Sequence, residues 1–156
     1  MAEHVGPVDR IVSSPLRRTR QTAAAWGRDV EVDDRWIELD YGDLDGVAMR
    51  DVEPSVWKAW RGDVTFAPPK GESTASLGRR VRSACDELVA SAADRDVVVV
   101  SHVSPIKAAV AWALGVGDEV AWRMFVAPAS VTRIAVSSRG ASLHSFNQVD
   151  HLVGLD

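Results

Sequence analysis

The sequence holds a single cysteine, Cys85, among 156 residues, which rules out an internal disulfide and any metal site built on several thiolates. It has no apolar run near the ~18 residues that a spanning helix requires. Its N-terminus, Met1-Ala2-Glu3-His4-Val5-Gly6-Pro7, lacks the basic and apolar blocks of a secretory leader. A cytoplasmic protein without a membrane partner is therefore expected. Basic charge is also scarce: 18 Lys and Arg stand against 22 Asp and Glu, a net charge of −4, and no basic stripe is present to neutralise a nucleic-acid backbone. No nucleic-acid partner is expected. There is no Gly-rich phosphate loop followed by lysine, and Gly115-Val116-Gly117 lacks the third glycine of a dinucleotide fingerprint. A calcium loop fails as well. With Gly46 in the glycine position, Tyr41 stands where an aspartate is needed and Val52 where the glutamate is needed.

What is present is the composition of one globular domain over residues 1–156, with 46% hydrophobic and 26% charged residues. Short apolar strands alternate with helical patterns, which reads as α/β. Arg10-Ile11-Val12-Ser13 is a first strand, followed by a helix from Pro15 to Trp26 that Ser14 caps. Val32 to Ile37 reads as a short edge strand. Glu38 to Gly46, with two glycines and four carboxylates, reads as a loop, and Ala48 to Trp60 as a weaker helix interrupted by Pro54. Leu77, Val81, Ala84, Leu88 and Ala92 fall on one face of a helix running from Ser73 or Thr74 to Ala92. Val97 to Val100 is β-branched without alternation, the pattern of a central strand buried on both faces of a parallel sheet. A helix capped by Ser104, begun by Pro105 and ended at Gly115 comes next. Asp118 to Val126 reads as a short amphipathic helix, and Val131–Val136 with Ser142–Phe146 as a terminal hairpin.

Chemistry-bearing residues gather at the carboxyl ends of these strands, where ligands of open α/β sheets bind. Arg17, Arg18 and Arg20 surround a helix start and suit a phosphate, although residue type alone favours solvated helix arginines. His102 follows the valine strand, and a histidine there is more often a satisfied turn residue than a catalytic one. Glu38 in the acidic loop is by itself an ordinary surface carboxylate.

Taken together, these segments resemble the histidine phosphatases, the phosphoglycerate mutase-like superfamily. Ser13-Ser14-Pro15-Leu16-x-Arg18-x-x-Gln21-Thr22-Ala23 is similar to the family's second-strand motif. Ile37 to Gly46 is similar to its acidic loop, Pro68-Pro69-Lys70-Gly71-Glu72-Ser73 to its Gly-Glu-Ser segment, and Val99-Val100-Ser101-His102 to its second histidine motif. Asn147-x-x-x-His151-Leu152 resembles the family's ending. The motifs follow in the right order over essentially the whole chain. Within the family, Ser101 to Lys107 is most similar to the actinobacterial phosphatase domain fused to ribonuclease H and related to α-ribazole phosphatases.

The resemblance implies a three-layer α/β/α fold with a mostly parallel sheet, and a phosphomonoester hydrolase working through a phosphohistidine on a small phosphorylated substrate. It implies Arg18 and His102 as phosphate-binding residues, Glu38 and His102 as catalytic residues with Glu38 the acid, and no metal or cofactor. One motif departs. The family's first strand ends in Arg-His-Gly, which carries the nucleophile, and that triplet occurs nowhere in the 156 residues. His4 follows no strand, and Met1 to Val5 resembles the last turn of the helix that comes after the missing strand. The domain is thus expected to be incomplete at its N-terminus, with Met1 an internal methionine of a longer reading frame. The absent central strand belongs between those at Val97–Val100 and Val131–Val136, so a strand-donating partner or a homo-oligomer is expected to fill the place. The alternative is an inactive homologue that binds phosphorylated ligands or a protein partner.

Overall fold

The computed structural model describes residues 1–91 and 94–154. Three short parallel strands form one sheet in the order β2-β1-β3, with β1 at Arg10–Ser13, β2 at Glu31–Val32 and β3 at Val97–Val100. β1 pairs residue for residue with β3, from Arg10 opposite Val97 to Ser13 opposite Val100. An antiparallel hairpin, β4 (Val131–Ser137) and β5 (Gly140–Gln148), makes a separate two-stranded sheet.

Because side chains alternate across a strand, the three-stranded sheet feeds two cores. Val12, Val97 and Val99 turn to one face and join Leu77, Val81 and Ala84 of α4 (Thr74–Ser91) and Ala108 and Ala109 of α5 (Val103–Leu114). Ile11, Val98 and Val100 turn to the other face, where they meet Val5 of α1 (Ala2–Val5), Val8 and Ala23 of α2 (Arg17–Ala23). The result is helices on both faces of a mostly parallel sheet. Cys85 lies buried within the α4 stripe, and burial pushes its thiol up to about 12, so it is an inert packing residue. Among the described residues, no helix is long and apolar enough to cross a membrane.

Several local expectations are corrected. The valine strand is not central in this chain: among the described residues β3 pairs only with β1, and all four valines remain partly exposed. The predicted edge strand from Val32 to Ile37 shrinks to Glu31–Val32, because the Asp33 carboxylate accepts from Arg35 N at 2.9 Å and starts a 3-10 turn at Asp34–Trp36. Pro54 does not interrupt a helix but opens one, α3 (Pro54–Gly62), after a separate 3-10 turn at Met49–Asp51. Ser14 does not cap the following helix, which begins at Arg17 with Leu16 before it. Nor does Ser104 cap α5, whose N-cap is His102. Asp118–Arg123 is a 3-10 helix that stops before Val126, and Ala92 lies outside the described residues. Trp60 is a core residue, while Trp57 stacks on it with ring centroids 5.9 Å apart and is only partly buried.

Two glycines hold the acidic loop against the Gly-Glu-Ser segment. Asp43 N donates to Pro69 O (2.9 Å) and Glu72 N donates to Asp40 O (2.8 Å), so the two backbones touch directly. A Cβ on Gly71 would come within 2.7 Å of Asp40 O, and one on Gly42 would run into the Pro69 carbonyl oxygen. Gly42 also has φ +54°, the left-handed region. Gly42→Ala is expected to destabilise the protein by about 2–4 kcal/mol, combining backbone strain with loss of these contacts. Denaturant unfolding checks this. Gly46, also at positive φ but with open space around it, serves as the control, with Gly46→Ala costing only the strain, about 1 kcal/mol.

Candidate functional site

The carboxyl ends of β1 and β3 lie side by side because the two strands are parallel and in register. This brings together Ser14, one residue beyond β1, and His102, two residues beyond β3. The imidazole of His102 is held on both nitrogens: Arg18 Nε lies 3.2 Å from Nδ1, and Ser14 Oγ lies 2.7 Å from Nε2. A guanidinium only donates, so Nδ1 accepts and the ring proton sits on Nε2, donated to Ser14. The imidazole is therefore neutral in this arrangement. Burial lowers its pKa below the usual 6.5, and the cationic Arg18 beside it adds to that, with Glu38 opposing.

Glu38 reaches the same place from the loop. Its Oε1 accepts from Leu39 N at 2.8 Å and from Ser104 N at 3.1 Å, in the first turn of α5 just beyond His102. Thus Arg18, Glu38 and His102 converge although they come from three separate parts of the chain. Arg17 and Arg20, exposed on α2, make no such contact. Two further side chains lie close enough to this carboxylate to feel its charge. The phenol of Tyr41 is pushed up by burial, with the Ser104 hydroxyl opposing and Glu38 adding to the rise. The Lys107 ammonium, one turn into α5, is pushed down by burial and partly restored by Glu38. Sequence reasoning passed over Ser14, Tyr41 and Lys107. Lys107 carried a usable signal, since it is a cation among the apolar residues Ile106, Ala108, Ala109 and Val110. Ser14 carried none, because a serine before a proline at a helix start already has a structural explanation.

Chemically, the cluster offers a cation and an imidazole suited to an oxyanion, beside a carboxylate placed to exchange a proton. Among the described residues no group of three or more His, Cys, Asp or Glu side chains is arranged to hold a metal.

Comparison with known proteins identifies the family and the fold. The profile of the histidine phosphatase superfamily (branch 1) matches residues 2–149. The "Bifunctional protein Rv2228c" of Mycobacterium tuberculosis is 35% identical over 155 residues, covering 94% of this chain but only 43% of that protein. This chain thus spans less than half the length of that relative. "Phosphoserine phosphatase 1" of Hydrogenobacter thermophilus is 34% identical over 155 residues, covering 93% of this chain and 72% of that protein. Among solved structures, a mycobacterial glucosyl-3-phosphoglycerate phosphatase in complex with VO3 superposes with a TM-score of 0.79 at 32% identity, over 89% of this chain and 76% of that one. A phosphoserine phosphatase from Entamoeba histolytica shares the fold, with a TM-score of 0.88 at 22% identity over 97% of this chain and 79% of that one. With a family profile spanning nearly the whole chain and relatives of this fold on either side of it, the chain belongs to the histidine phosphatase superfamily.

Proposed function

We propose that this chain forms the phosphate-binding and proton-donating part of a phosphomonoester hydrolase acting on a small phosphorylated substrate. The observation that carries this reading is the Arg18–His102–Ser14 cluster set against Glu38. In the proposed reaction a second histidine, carried on a strand that pairs with β3 and β4, attacks phosphorus in line. An N–P bond forms as the P–O bond to the leaving group breaks, and Glu38 gives its proton to the leaving oxygen. Arg18 and His102 hold the charge that spreads over the transferring oxygens. Glu38, now a carboxylate, takes a proton from water, whose oxygen attacks phosphorus and releases the imidazole. Relatives named as phosphatases of phosphoserine and of glucosyl-3-phosphoglycerate support a small phosphomonoester as the substrate class.

A second reading has its own observation. The anion cluster is assembled here without any Arg-His-Gly in the sequence, so this chain suits the role of a homologue that binds phosphorylated ligands without turning them over.

Anion binding tests the cluster directly, with sulfate as a probe because it does not titrate between pH 5 and 8. An anion seated between Arg18 and His102 replaces the bond that keeps Nδ1 unprotonated, so the imidazole becomes cationic in the complex. Its pKa is then higher bound than free, and by linkage the affinity rises as pH falls through the bound value and levels off below the free, lowered one. Isothermal titration between pH 8 and pH 5 is expected to show this tightening with proton uptake. His102→Gln abolishes the pH dependence, and Arg18→Ala weakens binding about 10- to 100-fold, the loss of a charge-assisted hydrogen bond. Equal sulfate affinity in wild type and Arg18→Ala would remove the phosphate assignment.

A further inference from the structure

The segment that delivers Glu38 has no strand ladder to hold it, yet each of its four consecutive carbonyls is taken by a side chain. Ser101 Oγ, from the end of β3, donates to Trp36 O at 2.7 Å. The other three go to one residue, Arg80 of α4. Its Nη1 donates to Arg35 O (2.6 Å) and Ile37 O (2.8 Å), and its Nη2 donates to Glu38 O at 3.3 Å. The remaining donors form a two-pronged pair with Glu72, Nε to Oε1 at 2.9 Å and Nη2 to Oε2 at 2.8 Å. A guanidinium has five N–H groups, and here all five are used. Arg80 and Glu72 are also the least exposed of the ion pairs taken together, at 19% and 18%.

This is more than a stabilising salt bridge. The Glu72 fork fixes the plane of the guanidinium, and that plane is what lets three N–H groups point at one stretch of backbone. With 35–38 pinned from α4 and from β3, the Glu38 side chain leaves a fixed backbone and its Oε1 lands on Ser104 N. Glu72 itself is held by the close approach of its segment to the acidic loop, where Glu72 N donates to Asp40 O. We propose that Arg80, oriented by Glu72, is the positioning residue for Glu38, coupling the Gly-Glu-Ser segment to the proton-donating carboxylate. The functional importance of this clamp rests on the reading of Glu38 given above, whereas its geometry can be tested without turnover.

The test is amide NMR as a function of pH, which is feasible for a monomer or a dimer of this size. A backbone N–H bonded to a carboxylate shifts as that carboxylate titrates, so in the wild type the Ser104 amide follows Glu38, and Glu38→Gln removes the transition. Thr65 N, bonded to the Asp63 carboxylate at 2.8 Å, is an internal control whose hydrogen bond involves none of the clamp residues. In Arg80→Gln the Ser104 transition is expected to disappear while that of Thr65 remains. Arg80→Lys does not restore it, because an ammonium keeps the charge but not the planar fork. Glu72→Gln, which keeps one acceptor and the arginine, reduces its amplitude. A full Ser104 transition in Arg80→Gln, or in Glu72→Gln should the arginine variant not fold, overturns the clamp and leaves the site reading standing. A wild-type Ser104 amide indifferent to Glu38→Gln overturns the site geometry itself. The two failures are therefore distinguishable.

Discussion

The 156-residue chain is expected to hydrolyse p-nitrophenyl phosphate no faster than buffer, and the same chain joined to an upstream strand ending in Arg-His-Gly is expected to be active. The difference should be on the order of 10⁶-fold, the scale on which loss of a covalent nucleophile disables a hydrolase. Arg18, His102 and Glu38 do not compensate, because groups that act as one unit are not additive. An anion clamp and an acid with nothing to attack phosphorus stabilise no productive transition state. In the active form Glu38→Gln separates the acid role from binding. It slows transfer of the phosphoryl group to the histidine, read as kcat/KM, sharply for an alkyl phosphate, whose departing oxygen needs the proton, and much less for p-nitrophenyl phosphate, whose departing phenolate does not. Hydrolysis of the phosphohistidine, which uses Glu38 as base, slows alike for both. Robust activity in the chain as it stands, lost in Glu38→Gln or His102→Ala, would show that another residue serves as nucleophile and that the proposed strand is unnecessary.

The second large effect concerns stability, and it follows from the division of the sheet. Among the described residues β3 is paired on one edge only and β4 on one edge only, and Ile134 of β4 packs into the same core as Val97 and Val99. On the proposed reading, these two unpaired edges that share a core are where one more strand pairs. The free edge of β3 presents about two N–H and two C=O groups. In water they are solvated, but the valines around them then stay wet, as their partial exposure records. Buried without partners, each group costs about 1–3 kcal/mol, and a few of these rival the whole ~5–15 kcal/mol stability of a domain. We therefore expect the purified chain to unfold below about 60 °C, to aggregate, or to sediment as a dimer or larger species in which another copy covers the edge. Sedimentation velocity and a thermal scan check this together. A monomer with a sharp, cooperative transition above ~60 °C would mean that the two sheets close on each other without the extra strand.

Much of the architecture was legible because it is written in local patterns. The stripe at Leu77, Val81 and Ala84 gave α4 to within a residue at its start, and Arg10–Ser13 and Val97–Val100 are strands as their composition implied. The errors have specific causes. Asp33 and Pro54 both act as starters of helical turns, a role that competes with strand and mid-helix readings and that residue type alone does not decide. The valine run reads as central because its residues are apolar on both faces, but among the described residues it pairs only with β1, since pairing depends on which strands lie beside it and not on the valines.

The sequence by itself determined the apolar face of α4, the order of the motifs and, through their resemblance to a family, the expectation that Arg18, Glu38 and His102 belong to one site. The tertiary structure alone decided how those residues are held: that Ser14 and Arg18, 88 and 84 residues away, fix the tautomer of His102, that Arg80 spends all five donors on Glu72 and the backbone behind Glu38, and that β3 stands at an edge. The physical reason is that apolar periodicity is a property of neighbours along the chain, whereas a polar side chain takes whatever donors and acceptors the fold brings near it once the backbone has satisfied itself.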